Sequence, residues 1–362
     1  MFSALRRLIT GERLVKKMSR IRNTTMDAVK AVAIFLVVLG HCVQYLSGTD
    51  FRENPIYQII YSFHMPLFFV VSGFFFVGQE NKSVKDFLIR KSTTLLLPCL
   101  VWATMSACGS LLINRDIPAF FLKIINPVTW PFWFLKALFV VQCVAYLCLR
   151  ITRSRVVLAA LLSLCVFLIP GMEIARVMLP FLWGGWILRM NYDRLKENAF
   201  VVTFISGVVF VGLLFFWNSQ SLRMSSGTTL SLYGCFTDAA QPWTTWVRFL
   251  YRLVIGAAGS MTVIGGLHLL PKIPLWIQIV GTSTEGIYIL QACFLEHLLG
   301  GFIAQKTTWL LPLQQLPAGL LYGLALPVAA ILIVVFCTML YQSTRYFPIA
   351  GRILFGGAPV QS

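Results

Sequence analysis

Long apolar runs constrain this chain more than any other feature of its sequence. Ten of them are long enough, or nearly so, to cross a bilayer, which needs about 20 residues per helix. They cover approximately residues 27–47, 56–78, 93–113, 131–150, 155–171, 174–189, 199–217, 248–270, 279–302 and 317–341. A segment in lipid must satisfy its own backbone hydrogen bonds, so the runs predict an all-α polytopic membrane protein with about ten transmembrane helices. The fifth and sixth runs are short, and a tight hairpin there would change the count by two.

The composition agrees with this class. Hydrophobic residues make up 58% of the 362 and charged residues only 12%, against roughly a quarter in an ordinary soluble domain. The net charge of +17 comes from short clusters between apolar runs, which is typical of membrane topology and argues against nucleic acid as a partner. The nine cysteines include no CxxC pair and no Cys/His cluster, so no metal site is predicted.

The distribution of lysine and arginine predicts the orientation. With a cytoplasmic N-terminus, 20 of these 30 residues fall in inner segments and six in outer loops, so both termini are expected in the cytoplasm. The predicted organisation is a basic N-terminal segment, 1–26, then a transmembrane domain, 27–341, and a cytoplasmic tail, 342–362. The first segment is either an amphipathic helix on the membrane surface or a flexible tail.

The longest predicted extramembrane piece is an outer loop of about residues 218–247. It is rich in Ser, Thr, Gly and aromatic residues, and its only charges are Arg223 and Asp238. Such a surface suits sugar hydroxyls and ring faces, although a merely polar connector would have the same composition.

Two histidines lie inside the first two predicted spans. His41 is about 14 residues into the first run, ~21 Å at 1.5 Å per residue, and His64 is about eight residues from the outer end of the second, ~12 Å. Ionisable groups within a span are expensive and mark functional sites by default. Their matched depth on successive helices predicts a polar reaction centre in the outer half of the membrane. Ser72-Gly73 in the second run predicts a close helix approach.

Other polar residues within or beside the spans have two readings each. Lys136, Arg176 and Arg252 line the outer half or snorkel to the interface. Arg90 and Lys91 form a basic inner mouth suited to phosphates or are ordinary positive-inside charge, and Lys30 is either functional or a local ion-pair partner of Asp27. Glu285 and Gln291 lie deep in the ninth run, whereas Glu296 and His297 lie near its outer end.

These residue types permit group transfer or proton-coupled transport. A histidine can take a proton from a hydroxyl or carry an acyl group itself. The sequence has no GxSxG, HExxH, Walker or GxGxxG motif, so serine hydrolase, zincin, NTPase and dinucleotide chemistry lack support. Residue chemistry alone leaves a transferase and a transporter with a proton relay equally favoured.

Five segments resemble, in order, the hallmark segments of the membrane acyltransferase-3 family. They are MDAVKAVAIFLVVLGHC, YSFHMPLFFVVSGFFF, FLIRKSTTLLLPCLVW, FWFLKALF and GTSTEGIYIL. The resemblance covers about residues 24–341, and the pattern is nearest to the fucose-4-O-acetylase and O-antigen O-acetyltransferase branch. It implies a ten-span bacterial inner-membrane enzyme that uses acetyl-CoA, or a related acyl-CoA, to acylate glycans or other hydroxyls.

The resemblance also implies roles for residues. His41 corresponds to the family's catalytic histidine, and Lys30 stands where an arginine is common eleven residues before it. Of the family's RxxR pair only the first charge is present, at Lys91, with Arg90 beside it and Thr94 at the second position. Gln291 stands where many relatives have a histidine, which makes a second proton carrier there unexpected.

The resulting hypothesis is transfer of acetyl from cytoplasmic acetyl-CoA to a hydroxyl of a cell-surface glycan, with a lipid-linked O-antigen or lipopolysaccharide unit as the expected acceptor in the bilayer. His41 and His64 are the catalytic candidates, and Lys30, Arg90 and Lys91 the donor-binding ones. The candidate acceptor contacts are Trp133, Lys136, Arg176, Arg252 and Glu285. The alternative is a polytopic transporter or flippase without covalent chemistry, and a succinyl in place of an acetyl donor is a third reading.

Overall fold

The computed structural model describes residues 23–47, 50–115, 117–126, 131–169, 171–217, 242–295 and 311–357. Within these ranges the chain forms helices, turns and loops, and no strand. The helices are α1 (Thr24–Leu46), α2 (Pro55–Phe74), α3 (Val84–Lys91), α4 (Leu97–Asn114), α5 (Ile117–Ile125), α6 (Trp133–Ile151), α7 (Val156–Leu162), α8 (Glu173–Met190), α9 (Tyr192–Glu197), α10 (Ala199–Leu214), α11 (Pro242–His268), α12 (Leu275–Thr282), α13 (Thr284–Ala292), α14 (Leu311–Gln314), α15 (Ala318–Ser343) and α16 (Pro348–Phe355).

The prediction of an all-α polytopic membrane protein is confirmed. Five of the described helices are long and apolar enough to cross a membrane: α1, α2, α6, α15 and the Val247–His268 part of α11. Large apolar side chains such as Phe200 and Phe204 on α10 are 69% and 63% exposed, as expected where a bundle meets lipid rather than water. The count of ten spans stays a prediction, as does the orientation. The fifth run is a short helix, α7, followed by the 3₁₀ segment Ser163–Leu168.

Helix α1 is the central helix of the bundle. Its N-terminus is capped by Asn23, whose side chain accepts a hydrogen bond from the Met26 N–H, and Asp27 places a negative charge at the positive end of the helix dipole. It packs against α2, α11, α12, α13 and α15. His41, in the C-terminal third of this helix, is therefore surrounded by protein on several sides.

Helices α2 and α8 approach each other closely at two glycines. A Cβ at Gly73 would collide with the backbone of Leu182, and one at Gly185 would collide with the backbone of Val70 and Phe74. The close approach predicted from Ser72-Gly73 is present, and α8 is the partner. Glycine is needed there because any side chain would push the two backbones apart.

Two of the predicted runs, the third and the ninth, are not continuous α-helices, and both carry candidate site residues. The ninth run is broken at Ser283 into α12 and α13. The third run is preceded by α3 and the π-helical turn Ser92–Leu96, so the basic residues at the end of α3 continue directly into α4. Such turns often occur at functional sites.

Part of the segment predicted as a C-terminal tail is helical and packs on the bundle. Helix α16 contacts α4 and α13, and the Trp102 indole donates a hydrogen bond to the Leu354 carbonyl at 3.0 Å. Tyr341 packs its ring against Phe355, at 5.3 Å between centroids, and against Gly286. The C-terminal helix therefore forms a wall beside the first residues of α4 and α13.

Three predictions lie outside the described residues. They concern most of the basic N-terminal segment, most of the polar outer loop and the pair at the outer end of the ninth run, that is residues 1–22, residues 218–241, and Glu296 with His297.

Candidate active site

His41 on α1 contacts Gln291 on α13. The distance from His41 Nδ1 to Gln291 Oε1 is 2.7 Å, across 250 positions in the chain. Gln291 is completely buried, and its amide nitrogen donates to the Tyr288 carbonyl at 3.2 Å. The contact exists because α13 packs directly on α1, while the backbone of Asp27 touches Gly281 on α12.

His64 on α2 lies close to this pair. It is 3% exposed, and its Nδ1 lies 2.7 Å from the carbonyl oxygen of Ile60, one helical turn earlier. Since a carbonyl only accepts, Nδ1 is the protonated nitrogen and Nε2 carries the lone pair. The imidazole is within electrostatic range of His41 and Arg252. The structure thus brings together the two histidines to which the sequence assigns similar depth.

The two buried arginines have different surroundings. Arg252 on α11 is 5% exposed, interacts electrostatically with His64, and stacks its guanidinium 5.7 Å from the Trp217 ring centroid. Arg176 on α8 is 1% exposed and donates hydrogen bonds to the carbonyls of Val166 and Ile169. Arg252 belongs to the histidine cluster, whereas Arg176 holds the end of the 3₁₀ segment after α7.

A second polar group lies toward the predicted inner side. Lys91 at the end of α3 interacts electrostatically with Glu285 on α13. Glu285 Oε1 is buried and has no hydrogen-bond partner among the described residues. Cys99 on α4 is within electrostatic range of both Glu285 and Lys136. Glu285, grouped with the acceptor contacts in the sequence analysis, is therefore a neighbour of a predicted donor contact.

Lys91 has an unusually low pKa for a lysine. Burial and, to a smaller extent, the neighbouring cations Arg90 and Lys82 lower this pKa to about 8, while Glu285 opposes the shift. Desolvation disfavours the charged form of an ammonium, which explains the direction. An anion binding at Lys91 would relieve both unfavourable effects, because it would supply a counter-charge.

The remaining predicted site residues are Lys30, Arg90 and Trp133, of which Arg90 neighbours Lys91. Lys30 Nζ is 2.7 Å from Asp27 Oδ1 and 5.5 Å from the Phe75 ring centroid, so the local ion pair is present. Arg90 is exposed at the end of α3. Trp133 is 46% exposed, at the start of α6.

Helix α13 connects the two groups. Glu285 and Gln291 are six residues apart, about 9 Å along the helix. Between them lies Tyr288, whose ring contacts Phe132 and Phe134 of the FWFLKALF segment at 6.0 and 5.5 Å between centroids. One helix therefore brings a carboxylate to the lysine of α3 and an amide to the histidine of α1.

Gln291 is the site residue that sequence reasoning set aside. Its depth in the ninth run marks it as a polar candidate, but a glutamine in place of the family's histidine predicts only that no second proton carrier is present there. The sequence signal that could have indicated its role is the free-energy cost of burying an amide in an apolar run. A glutamine there needs hydrogen-bond partners, and a polar residue in a neighbouring span can supply one.

The arrangement supports proton transfer inside a largely apolar bundle. An imidazole nitrogen with a lone pair can accept a proton from a hydroxyl or thiol, and the cationic groups around Lys91 favour an anionic ligand at the inner end. The fold and this site define a polytopic membrane protein with two histidines inside its helical bundle, His64 buried and His41 half-buried.

Comparison with known families specifies the class. A family model described as an acyltransferase domain matches residues 23–342. The chain therefore belongs to the acyltransferase-3 family. This confirms the family to which the five sequence segments point.

Two curated proteins resemble part of the chain. Nodulation protein NolL from Mesorhizobium japonicum is 33% identical over 126 residues, which are 33% of this chain and 34% of that protein. NolL from Sinorhizobium fredii is 32% identical over 127 residues, 32% of this chain and 34% of that protein. The matched stretches span about a third of the length of these relatives. No solved structure matches the chain.

Proposed function

We propose that this member of the acyltransferase-3 family is a membrane O-acetyltransferase, which moves acetyl from acetyl-CoA to a hydroxyl of a cell-surface glycan. The observation that carries the proposal is His41, held through Nδ1 inside the bundle of an acyltransferase-family chain. A histidine in this setting is suited to take a proton from a hydroxyl, the step that makes a sugar oxygen nucleophilic.

Donor binding is assigned to the inner group. The phosphates of acetyl-CoA contact Lys91 and the exposed Arg90, and Glu285 positions the Lys91 ammonium. Lys30 joins them through the N–H donors that its pairing with Asp27 leaves over. The acetyl thioester then extends along α13 toward His41.

The chemical step balances with His41 as general base. Nε2 takes the proton of the acceptor hydroxyl, and the oxygen attacks the thioester carbonyl carbon. The carbon–sulfur bond then breaks, and the CoA thiolate leaves with the proton from His41. Alternatively, Nε2 itself attacks the thioester, releases CoA and passes the acetyl group to the hydroxyl. Both routes need a lone pair on Nε2, and His64 with Arg252 sets the polarity around it.

The acceptor is assigned to the other side of the site. A lipid-linked glycan in the outer leaflet of a bacterial inner membrane would present its hydroxyl to the outer half of the bundle, where Trp133, Lys136 and Arg252 lie in the predicted orientation. Trp133 offers an exposed ring face, which suits sugar stacking. The contacts of Arg176 with backbone carbonyls favour a supporting role.

The proposal is tested by deleting the gene and comparing the surface glycans by mass spectrometry. We expect loss of acetyl groups, restored by the wild-type gene and not by His41→Ala at equal protein level. Removal of a general base reduces the rate about 10²- to 10⁴-fold. An unchanged glycan in the deletion strain, or full restoration by His41→Ala, would contradict the proposal.

Reconstitution distinguishes the transporter alternative. In proteoliposomes with acetyl-CoA and glycolipid from the deletion strain, an acetyltransferase releases free CoA in proportion to acetylated product. A transporter or flippase would move glycolipid without any CoA release, and its flux would be the same when acetyl-CoA is omitted.

A further inference from the structure

Gln291 is a polar residue in a position where burying an amide is energetically unfavourable. It is completely buried, in a helix of the ninth predicted span, where an unsatisfied amide would be costly. Both ends of its amide are used: Oε1 faces His41 Nδ1 at 2.7 Å, and Nε2 donates to the Tyr288 carbonyl. The second bond determines the orientation of the first, because a carbonyl can only accept a hydrogen bond from the amide nitrogen.

This orientation determines where His41 carries its proton. The atom facing Nδ1 is an acceptor oxygen, so a neutral imidazole must be protonated at Nδ1 and bear its lone pair at Nε2. Glutamine differs from the aspartate or glutamate that often orients a catalytic histidine, because it is neutral. It selects the tautomer without adding a charge that would stabilise the imidazolium form.

We propose that Gln291 is a positioning residue that keeps His41 in the Nδ1-protonated tautomer, so that Nε2 is the atom that meets the substrates. This inference rests on the proposed acyltransfer function for its kinetic consequences, although the tautomer itself is a property of the resting protein. The neutrality of Gln291 also keeps His41 available as a base at lower pH than a carboxylate partner would.

The first experiment measures the tautomer directly. In protein labelled with ¹⁵N-histidine, the His41 resonances are assigned by their absence in His41→Ala. We expect a protonated Nδ1 and an unprotonated Nε2 in the wild type, and a mixture of tautomers in Gln291→Met. Nε2 protonation in the wild type, or an unchanged spectrum in Gln291→Met, would overturn the proposal whatever the enzymatic activity.

The second experiment follows kinetics and pH. Gln291→Met keeps the side-chain length and removes the acceptor, so we expect kcat to fall about tenfold or more with little change in the KM for acetyl-CoA. In Gln291→Glu the carboxylate would stabilise the imidazolium, so the acid limb of the pH–rate profile should move to higher pH. A purely structural role would lower the yield of folded protein without moving this limb.

A matched control distinguishes the loss of the Gln291 amide from the loss of any buried amide. Gln142 on α6 is 5% exposed and donates to the Ser72 hydroxyl at 2.7 Å, away from His41. Gln142→Met should keep the wild-type kcat per folded molecule. Equal kcat losses in both methionine variants, or a Gln291→Glu profile that superimposes on the wild type, would contradict the proposal. Absence of any acyl transfer by the wild type would refute the proposed function and leave the tautomer measurement standing.

Discussion

At the scale of single residues, the site separates two chemical tasks. His41 and His64 are imidazoles held by neutral acceptors, Gln291 and a backbone carbonyl respectively, and an imidazole that donates from Nδ1 keeps a lone pair on Nε2 to accept a proton. Lys91 lies in a cationic neighbourhood with one nearby carboxylate, Glu285, which suits binding of an anion.

The lowered pKa of Lys91 predicts a pH dependence of donor binding. With a pKa of about 8, the ammonium loses half of its charge at that pH and about nine tenths one unit higher. If it binds the donor phosphates, the KM for acetyl-CoA should rise several-fold between about pH 7 and pH 9. Arginine stays charged throughout this range, so Lys91→Arg should flatten the rise. The same rise in Lys91→Arg and wild type would contradict this role.

At the scale of helices, close packing depends on a few glycines. The contact of α2 with α8 positions the helix that carries His64, and it has no space for a Cβ at Gly185. Gly184, its neighbour, has nothing within 4 Å of an added Cβ. These adjacent positions therefore respond oppositely to the same substitution.

We expect Gly185→Ala to destabilise the protein by about 1–3 kcal/mol or more, because the methyl group collides with the backbone of Val70 and Phe74. Gly184→Ala should be neutral or stabilising by up to about 1 kcal/mol, the usual helix preference for alanine over glycine. Thermal unfolding of both variants in one detergent checks this. Equal midpoints for the two variants would show that the helices are less tightly packed than described.

At the scale of the whole molecule, orientation decides which substrate reaches which end of the site. The excess of positive charge on alternate segments predicts a cytoplasmic N-terminus, which places Lys91 on the side of acetyl-CoA and His41 in the outer half. Alkaline phosphatase fused after Asp50 should be active, and fused after Asn81 inactive, while green fluorescent protein at the C-terminus should fluoresce. The reverse pattern would refute both the orientation and the direction of acetyl transfer proposed above.

Helix positions were largely predictable from the sequence, and departures have local causes. In lipid, backbone hydrogen bonds must be satisfied within a helix, so hydropathy alone locates the helices. The break at Ser283 and the π-helical turn at Ser92–Leu96 were not predicted, because a one-residue break or a change of helix type leaves the mean hydropathy of a run nearly unchanged.

The sequence by itself determined the membrane class, the helical content and the family, because each depends on local composition or on short motifs. It also identified His41, His64, Lys91 and Glu285 as ionisable residues within or beside the apolar runs. Only the tertiary structure decided their partners: Gln291 for His41 across 250 positions, and Glu285 for Lys91. The physical reason is that the position of a residue along an apolar helix follows from the sequence of that helix alone. Which helices lie beside it depends on how side chains from several helices pack together.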